Sequence, residues 1–218
     1  MAEEYTGVIS VGDAAQRRDL GGLILHKVQV GPLENNVYFL ECKETGDVLL
    51  IDAAHSPDVL LGVLDGRHLE RIVTTHQHPD HWAALPEIVA ATGAPVAVHP
   101  LDADPLPITT YEPLVEGDSV RVGTCELSVM HLVGHTPGSI SLLYDGADRK
   151  HLFTGDCLFP GGHGRTETLE DHLRLMDDLE AKIFGPLPDD TWFYPGHGND
   201  STLGAERPHL AEWRDRGW

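Results

Sequence analysis

A chain of 218 residues with 41% hydrophobic positions and 23 glycines can bury one layered core with many tight turns, and a single domain over 1–218 is expected. Its 15 Lys and Arg against 35 Asp and Glu give a formal charge of −20, which argues against nucleic acid or an anionic membrane as a partner, since both are held by clustered cations. Cys42, Cys125 and Cys157 are odd in number, widely spaced and without a CxxC pair, so no disulfide framework is expected. With the acidic start Met1-Ala2-Glu3-Glu4, unlike a signal peptide, and no apolar run near the roughly 18 residues of a membrane span, the chain is expected to be cytoplasmic with reduced thiols.

In chain order, residues 13–19 are polar and read as a surface loop or helical turn, before the first clear strand at Leu23–Val30. Strands follow at Asn36–Cys42 and Val48–Asp52, joined by Thr45-Gly46-Asp47. Asp52 ends its strand, where it could orient a metal-ligating histidine or cap the helix expected over 58–65. A strand at 69–75 then feeds Thr75-His76-Gln77-His78-Pro79-Asp80-His81, and a helix over 83–93 stops at Gly93. Pro79 makes the histidine cluster a loop, so its side chains can turn to one point; in a regular strand His81 would face away from His76 and His78.

Beyond a strand at 94–99, the Pro- and Asp-rich stretch 100–116 reads as an irregular, solvent-exposed excursion. Strands return at 119–123 and 125–131, and Gly134-His135-Thr136-Pro137-Gly138-Ser139 forms a tight turn before another strand at 139–144. Two further strands end in turns that carry Asp156 and His197, so four times a strand stops and a candidate ligand follows. Between the last two, Leu169, Leu173, Met176, Leu179 and Ile183 have helical spacing and are expected in the core. Histidines 26, 68, 99, 131, 151, 172 and 209 lie in no such setting and are expected on the surface or as satisfied polar groups.

Seven candidate donors result: His76, His78, Asp80, His81, His135, Asp156 and His197. They exceed what one tetrahedral zinc needs and suit two metals sharing a carboxylate. No Ser or Cys has a visible triad partner, so a metal-bound hydroxide is the expected nucleophile.

These segments, from Thr75-His76-Gln77-His78-Pro79-Asp80-His81 through Gly134-His135-Thr136-Pro137-Gly138-Ser139 and Thr154-Gly155-Asp156 to Tyr194-Pro195-Gly196-His197-Gly198, resemble the motifs of the metallo-β-lactamase superfamily in order and spacing. The resemblance implies an α/β fold, an αββα sandwich of two mixed sheets flanked by helices, with metals at one edge. It implies that His76, His78 and His135 bind one metal, that Asp80, His81 and His197 bind the other, and that Asp156 bridges them. The branch it resembles most is glyoxalase II and its short relatives. Two departures stand out: Gly162-His163-Gly164-Arg165 has His where that branch often has Cys, and only 21 residues follow His197, where the branch carries a glutathione-binding helical domain.

The expected activity is therefore that of a binuclear zinc hydrolase acting on a thioester, ester or lactone of a small-molecule substrate, with Asp80 handling the nucleophile's proton. Arg165 is expected to meet a substrate carboxylate or to form a structural salt bridge, and His163 to reach the cleft or lie on a surface loop. The competing reading, also by resemblance, is a persulfide dioxygenase with one Fe2+ on His76, His135 and Asp156. A phosphodiesterase or nuclease is a further alternative that the charge disfavours. A homodimer is compatible with the sequence.

Overall fold

The structure, a computed structural model, describes residues 5–217. The acidic stretch Met1–Glu4 and Trp218 lie outside the described residues.

The first sheet holds, in sequence order, β1 (Gln16–Asp19), β2 (Leu23–Val30), β3 (Asn35–Cys42), β4 (Val48–Ile51), β5 (Leu69–Val73), β6 (Val96–Val98) and β7 (Glu112–Pro113). β1 to β4 pair antiparallel, and β4 to β7 pair parallel. Parallel neighbours need a crossover, and α1 (Pro57–Leu64) and α2 (Leu85–Thr92) supply it on either side of β5. The second sheet comprises β8 (Ser119–Val122), β9 (Cys125–His131), β10 (Ile140–Asp145), β11 (Lys150–Gly155), β12 (Trp192–Pro195) and β13 (Ser201–Thr202), in the order β13-β12-β11-β10-β9-β8. Only β11 and β12 are parallel there, joined through α3 (Leu169–Asp178). Short helices α4 (Leu203–Glu206) and α5 (Leu210–Arg216) close the described chain. Both sheets are mixed, and the expected αββα sandwich is the observed fold.

Side-chain alternation builds its layers. Along β4, Leu49 and Ile51 face the second sheet while Val48 and Leu50 pack under Leu60, Leu64, Leu85 and Ile88 of α1 and α2. A strand covered on both faces has no reason to alternate polar and apolar residues, so Val48-Leu49-Leu50-Ile51 is continuous. Leu152 and Phe193 likewise carry the outer layer formed by α3 and α5, with Met176 and Trp213 buried against them.

Three expectations need correction. Residues 16–19 are an edge strand, not a loop or helical turn: they pair with β2 although none is apolar, and Arg18 lies over the Trp192 ring at 4.2 Å, so a cation takes the inward position. The stretch 100–116 is not simply an exposed excursion. It opens with a 3₁₀ turn at Pro100–Asp102, contributes β7, and buries Asp102, Ala103, Leu106 and Leu114. Finally, the apolar stripe of α3 is phased differently. His172, Leu175, Met176 and Leu179 form the buried i, i+3, i+4, i+7 arc, while Leu169 and Leu173 are 69% and 39% exposed. A histidine at the first inward position hid that phase, and the helix widens into a π-helical turn at Leu179–Phe184.

Candidate metal centre

The ends of β4, β5, β11 and β12 and the turn between β9 and β10 meet at one edge of the sandwich. β5 ends at Val73, and the chain turns through buried Thr74 and Thr75 into the histidine loop, with a 3₁₀ turn at Pro79–His81. Asp52, in a left-handed conformation with φ of 60°, accepts from the Thr75 backbone N–H at 2.7 Å and its hydroxyl at 2.8 Å. Its other contact is to His81 Nδ1, at 2.8 Å. Asp52 therefore sits behind His81, with its bonds going to that loop, and leaves the Nε2 face of the ring open.

The candidate donors fall into three convergent groups: His76, His78 and His135; His76, His81 and Asp156; and Asp80, His81 and His197. Within each group the ligand atoms lie within 4.8 Å of one another. Asp156 stands between them: its carboxylate oxygens are 3.4 Å from His81 Nε2, 3.6 Å from His197 Nε2 and 3.8 Å from His135 Nε2. Asp80 Oδ2 lies 3.2 Å from His197 Nε2 and 3.5 Å from His81 Nε2. All seven donors expected from the sequence are thus gathered within one site.

Burial and crowding by other imidazoles hold His76 well below the ordinary histidine range, and burial holds His135 down as well. Both are set neutral, the form that binds a metal. For His81 burial also opposes the charge, but the carboxylates of Asp156 and Asp52 outweigh it and raise its pKa well above the ordinary value. Asp80 is the mirror case: burial opposes ionisation, yet the bond from His197, the charge on His81 and the Asn35 amide hold it well below the carboxylate range.

A metal fits these residues on two counts. His81 Nε2, His135 Nε2 and Asp156 Oδ1 are buried without a hydrogen-bond partner, although unpartnered polar atoms are costly in such a place. The donor set of imidazole nitrogens and carboxylate oxygens is also that of zinc or iron sites. Gly196 is seated against the cluster: a Cβ there would stand 2.2 Å from Asp156 Oδ1 and 2.7 Å from His81 Cε1.

The two candidate substrate contacts are placed differently. Arg165 is exposed and forms no salt bridge among the described residues; its backbone carbonyl accepts from His135 Nδ1 at 2.8 Å and so orients that ring. His163 is buried, not on a surface loop, with Nε2 at 2.8 Å from His172 Nδ1. Tyr38 is a core residue whose hydroxyl donates to the Pro195 carbonyl, and the Phe159 ring centre lies 6.3 Å from that of His197.

Two polar residues that the sequence did not single out matter here. Asn35 donates to Asp80 Oδ2 at 2.8 Å and lies 3.3 Å from His197 Nε2. Asp102 bonds to both loops that carry the three-histidine group. Asn35 opens a strand and Asp102 lies in a Pro-rich stretch, so each resembled a turn residue.

Such a donor set at the edge of this sandwich defines a metal-dependent enzyme of the hydrolase type. The chain belongs to the metallo-β-lactamase superfamily, whose profile matches residues 30–197. It is 38% identical over 177 residues to a hydroxyacylglutathione hydrolase of Cereibacter sphaeroides, an alignment covering 79% of this chain and 66% of that one. Among solved structures it is similar to TTHA1623 in a di-iron-bound form, with a TM-score of 0.71, 33% identity, and coverage of 83% of this chain and 96% of that one. BLEG-1, a B3 metallo-β-lactamase, gives a TM-score of 0.74 at 30% identity, covering 87% of this chain and 99% of its own.

Proposed function

We propose that this chain hydrolyses a thioester, or a related ester or lactone, of a small molecule. In this reading His76, His78 and His135 hold one zinc, Asp80, His81 and His197 hold a second, and Asp156 is shared. The observation that carries it is the convergence of seven donors in groups no wider than 4.8 Å, with three buried polar atoms lacking any other partner. When bound, such a metal pair supplies Lewis acidity and a water that ionises near neutral pH.

The chain's own residues have separate tasks. Asp80, about a quarter exposed and held by Asn35, is placed to hold the nucleophile and shuttle its proton toward the leaving group. Asp52 keeps His81 Nδ1 engaged so that Nε2 faces the site. Beside His78 and His135 a cleft of about 360 Å³ is lined also by Gln77, Thr136, Glu167 and Arg174, a size that suits a small-molecule substrate. Arg165, exposed beside His135, is the candidate for meeting a substrate carboxylate; His163, engaged with His172, is the weaker one. The name of the Cereibacter relative supports the thioester class. This chain spans 66% of that relative's length.

A second reading is a mononuclear-iron enzyme oxidising a persulfide. It is supported by the two-histidine, one-carboxylate group of His76, His81 and Asp156, while the relative's di-iron form speaks for iron but for two ions. In that group His81 stands where the sequence reading had His135.

Metal identity and stoichiometry, measured on protein purified without added metal or chelator, test both. About two zincs per chain with turnover of a thioester or lactone panel are expected. One iron per chain with oxygen uptake on a persulfide would replace the hydrolytic reading.

A further inference from the structure

Asp102 is fully buried at the end of the 3₁₀ turn after β6, far in sequence from every candidate ligand. Its Oδ2 accepts from the Gln77 backbone N–H at 3.0 Å and from the Thr136 hydroxyl at 2.5 Å. Its Oδ1 accepts from the Gly138 backbone N–H at 2.6 Å. Gln77 lies between His76 and His78, and Thr136 follows His135. One carboxylate thus ties the loop after β5, in the first sheet, to the turn before β10, in the second. These two segments supply all of the His76, His78 and His135 group and no more than part of the others.

The surroundings leave this carboxylate little freedom. A Cβ on Gly138 would stand 2.8 Å from both Asp102 Oδ1 and His99 Nδ1, so the turn is seated directly on the acid. His99 in turn stacks on His131 at 4.0 Å, and His131 Nε2 bonds to the Pro137 carbonyl. Bonds from backbone N–H groups and a hydroxyl to a buried carboxyl are short and directional, and their geometry passes to whatever the donors are attached to.

We infer that Asp102 is a positioning residue: by bonding to Gln77, Thr136 and Gly138 it sets the spacing of the three-histidine group and thereby that group's affinity for a metal. Asp52 serves His81 in the other group. The two buried acids divide the support of the site between them. This inference rests on the proposed metal-binding role of the site.

The variants are Asp102→Asn, which turns an amide N–H toward one of three donors, and Thr136→Val, which removes one donor at nearly constant volume. Thr136→Ser, which keeps the hydroxyl, is the rescue control. Metal-stripped proteins are titrated with Co2+ while its visible absorption and a competing chelator are followed. His78→Ala and His197→Ala assign the two binding steps, and thermal unfolding of the metal-free forms reports stability.

Asp102→Asn and Thr136→Val are expected to weaken the step lost in His78→Ala by 10–100-fold, with Thr136→Ser near wild type and the His197-dependent step within about threefold. Wild-type affinities for both steps in the two variants, with only a lower melting temperature, would overturn the inference and leave the metal site standing. Equal weakening of both steps would also overturn it. A wild-type protein that binds no Co2+ would overturn the inference together with the functional reading beneath it.

Discussion

Single side chains at this site are constrained by space as much as by charge. Gly196 has no room for a methyl group against Asp156 and His81. Gly196→Ala is therefore expected to push the Asp156 carboxylate off its position and lower metal affinity and turnover at least tenfold; metal content after dialysis and turnover by the loaded enzyme check it. A second residue governs acid stability. His151 is buried beside Tyr194, and burial lowers its pKa to about 4 from the usual 6.5. Because the folded state resists the proton, this residue's contribution is complete above pH 6.5 and is lost as the pH falls toward 4. Urea unfolding of metal-free protein should show stability falling over that window. His151→Gln should flatten the decline by up to about one proton.

Among elements, the turn carrying His197 depends on the first sheet as much as on its own strand. Asn36 donates to the carbonyls of Pro195 and Gly198, at 2.9 and 2.8 Å, and the Lys27 ammonium reaches Gly198 at 3.3 Å. Lys27 pairs with Asp200 at 2.7 Å, with both side chains buried. Removing one partner leaves an uncompensated buried charge, so Lys27→Met should cost about 3–5 kcal/mol, whereas Lys27→Met with Asp200→Leu should cost distinctly less. Denaturant unfolding of the two single variants and the double variant measures the difference. The same scale explains what could be read from the sequence. His76, His78, Asp80 and His81 share one short loop, and His135, Asp156 and His197 each follow an apolar strand, so local pattern revealed them. Asn35, Asp102 and Lys27 act on partners up to 173 residues away, and no local pattern marks a polar residue for burial by a distant loop. The strand over 16–19 and the phase of α3 were missed for a related reason: a cation over an indole and a buried histidine do what an apolar residue usually does.

For the molecule as a whole, a ligand that binds only the folded chain must stabilise it. At a hundredfold excess over its dissociation constant, one metal adds about 2.7 kcal/mol. In a chain of this size each kcal/mol moves the melting temperature by about 2–4 °C. Stripping with a chelator should therefore lower the transition by about 5–10 °C per ion removed, and calorimetry before and after re-addition checks it. The net charge of −20 acts in the same direction, because divalent ions offset part of the self-repulsion.

Each of the three donor groups takes residues from both sheets, and the Ile140 N–H donates to the Thr75 carbonyl across the same seam. An ion held there would add a further tie between the two sheets. Amide hydrogen exchange at Ile140 should then slow when metal is loaded and recover when a chelator removes it.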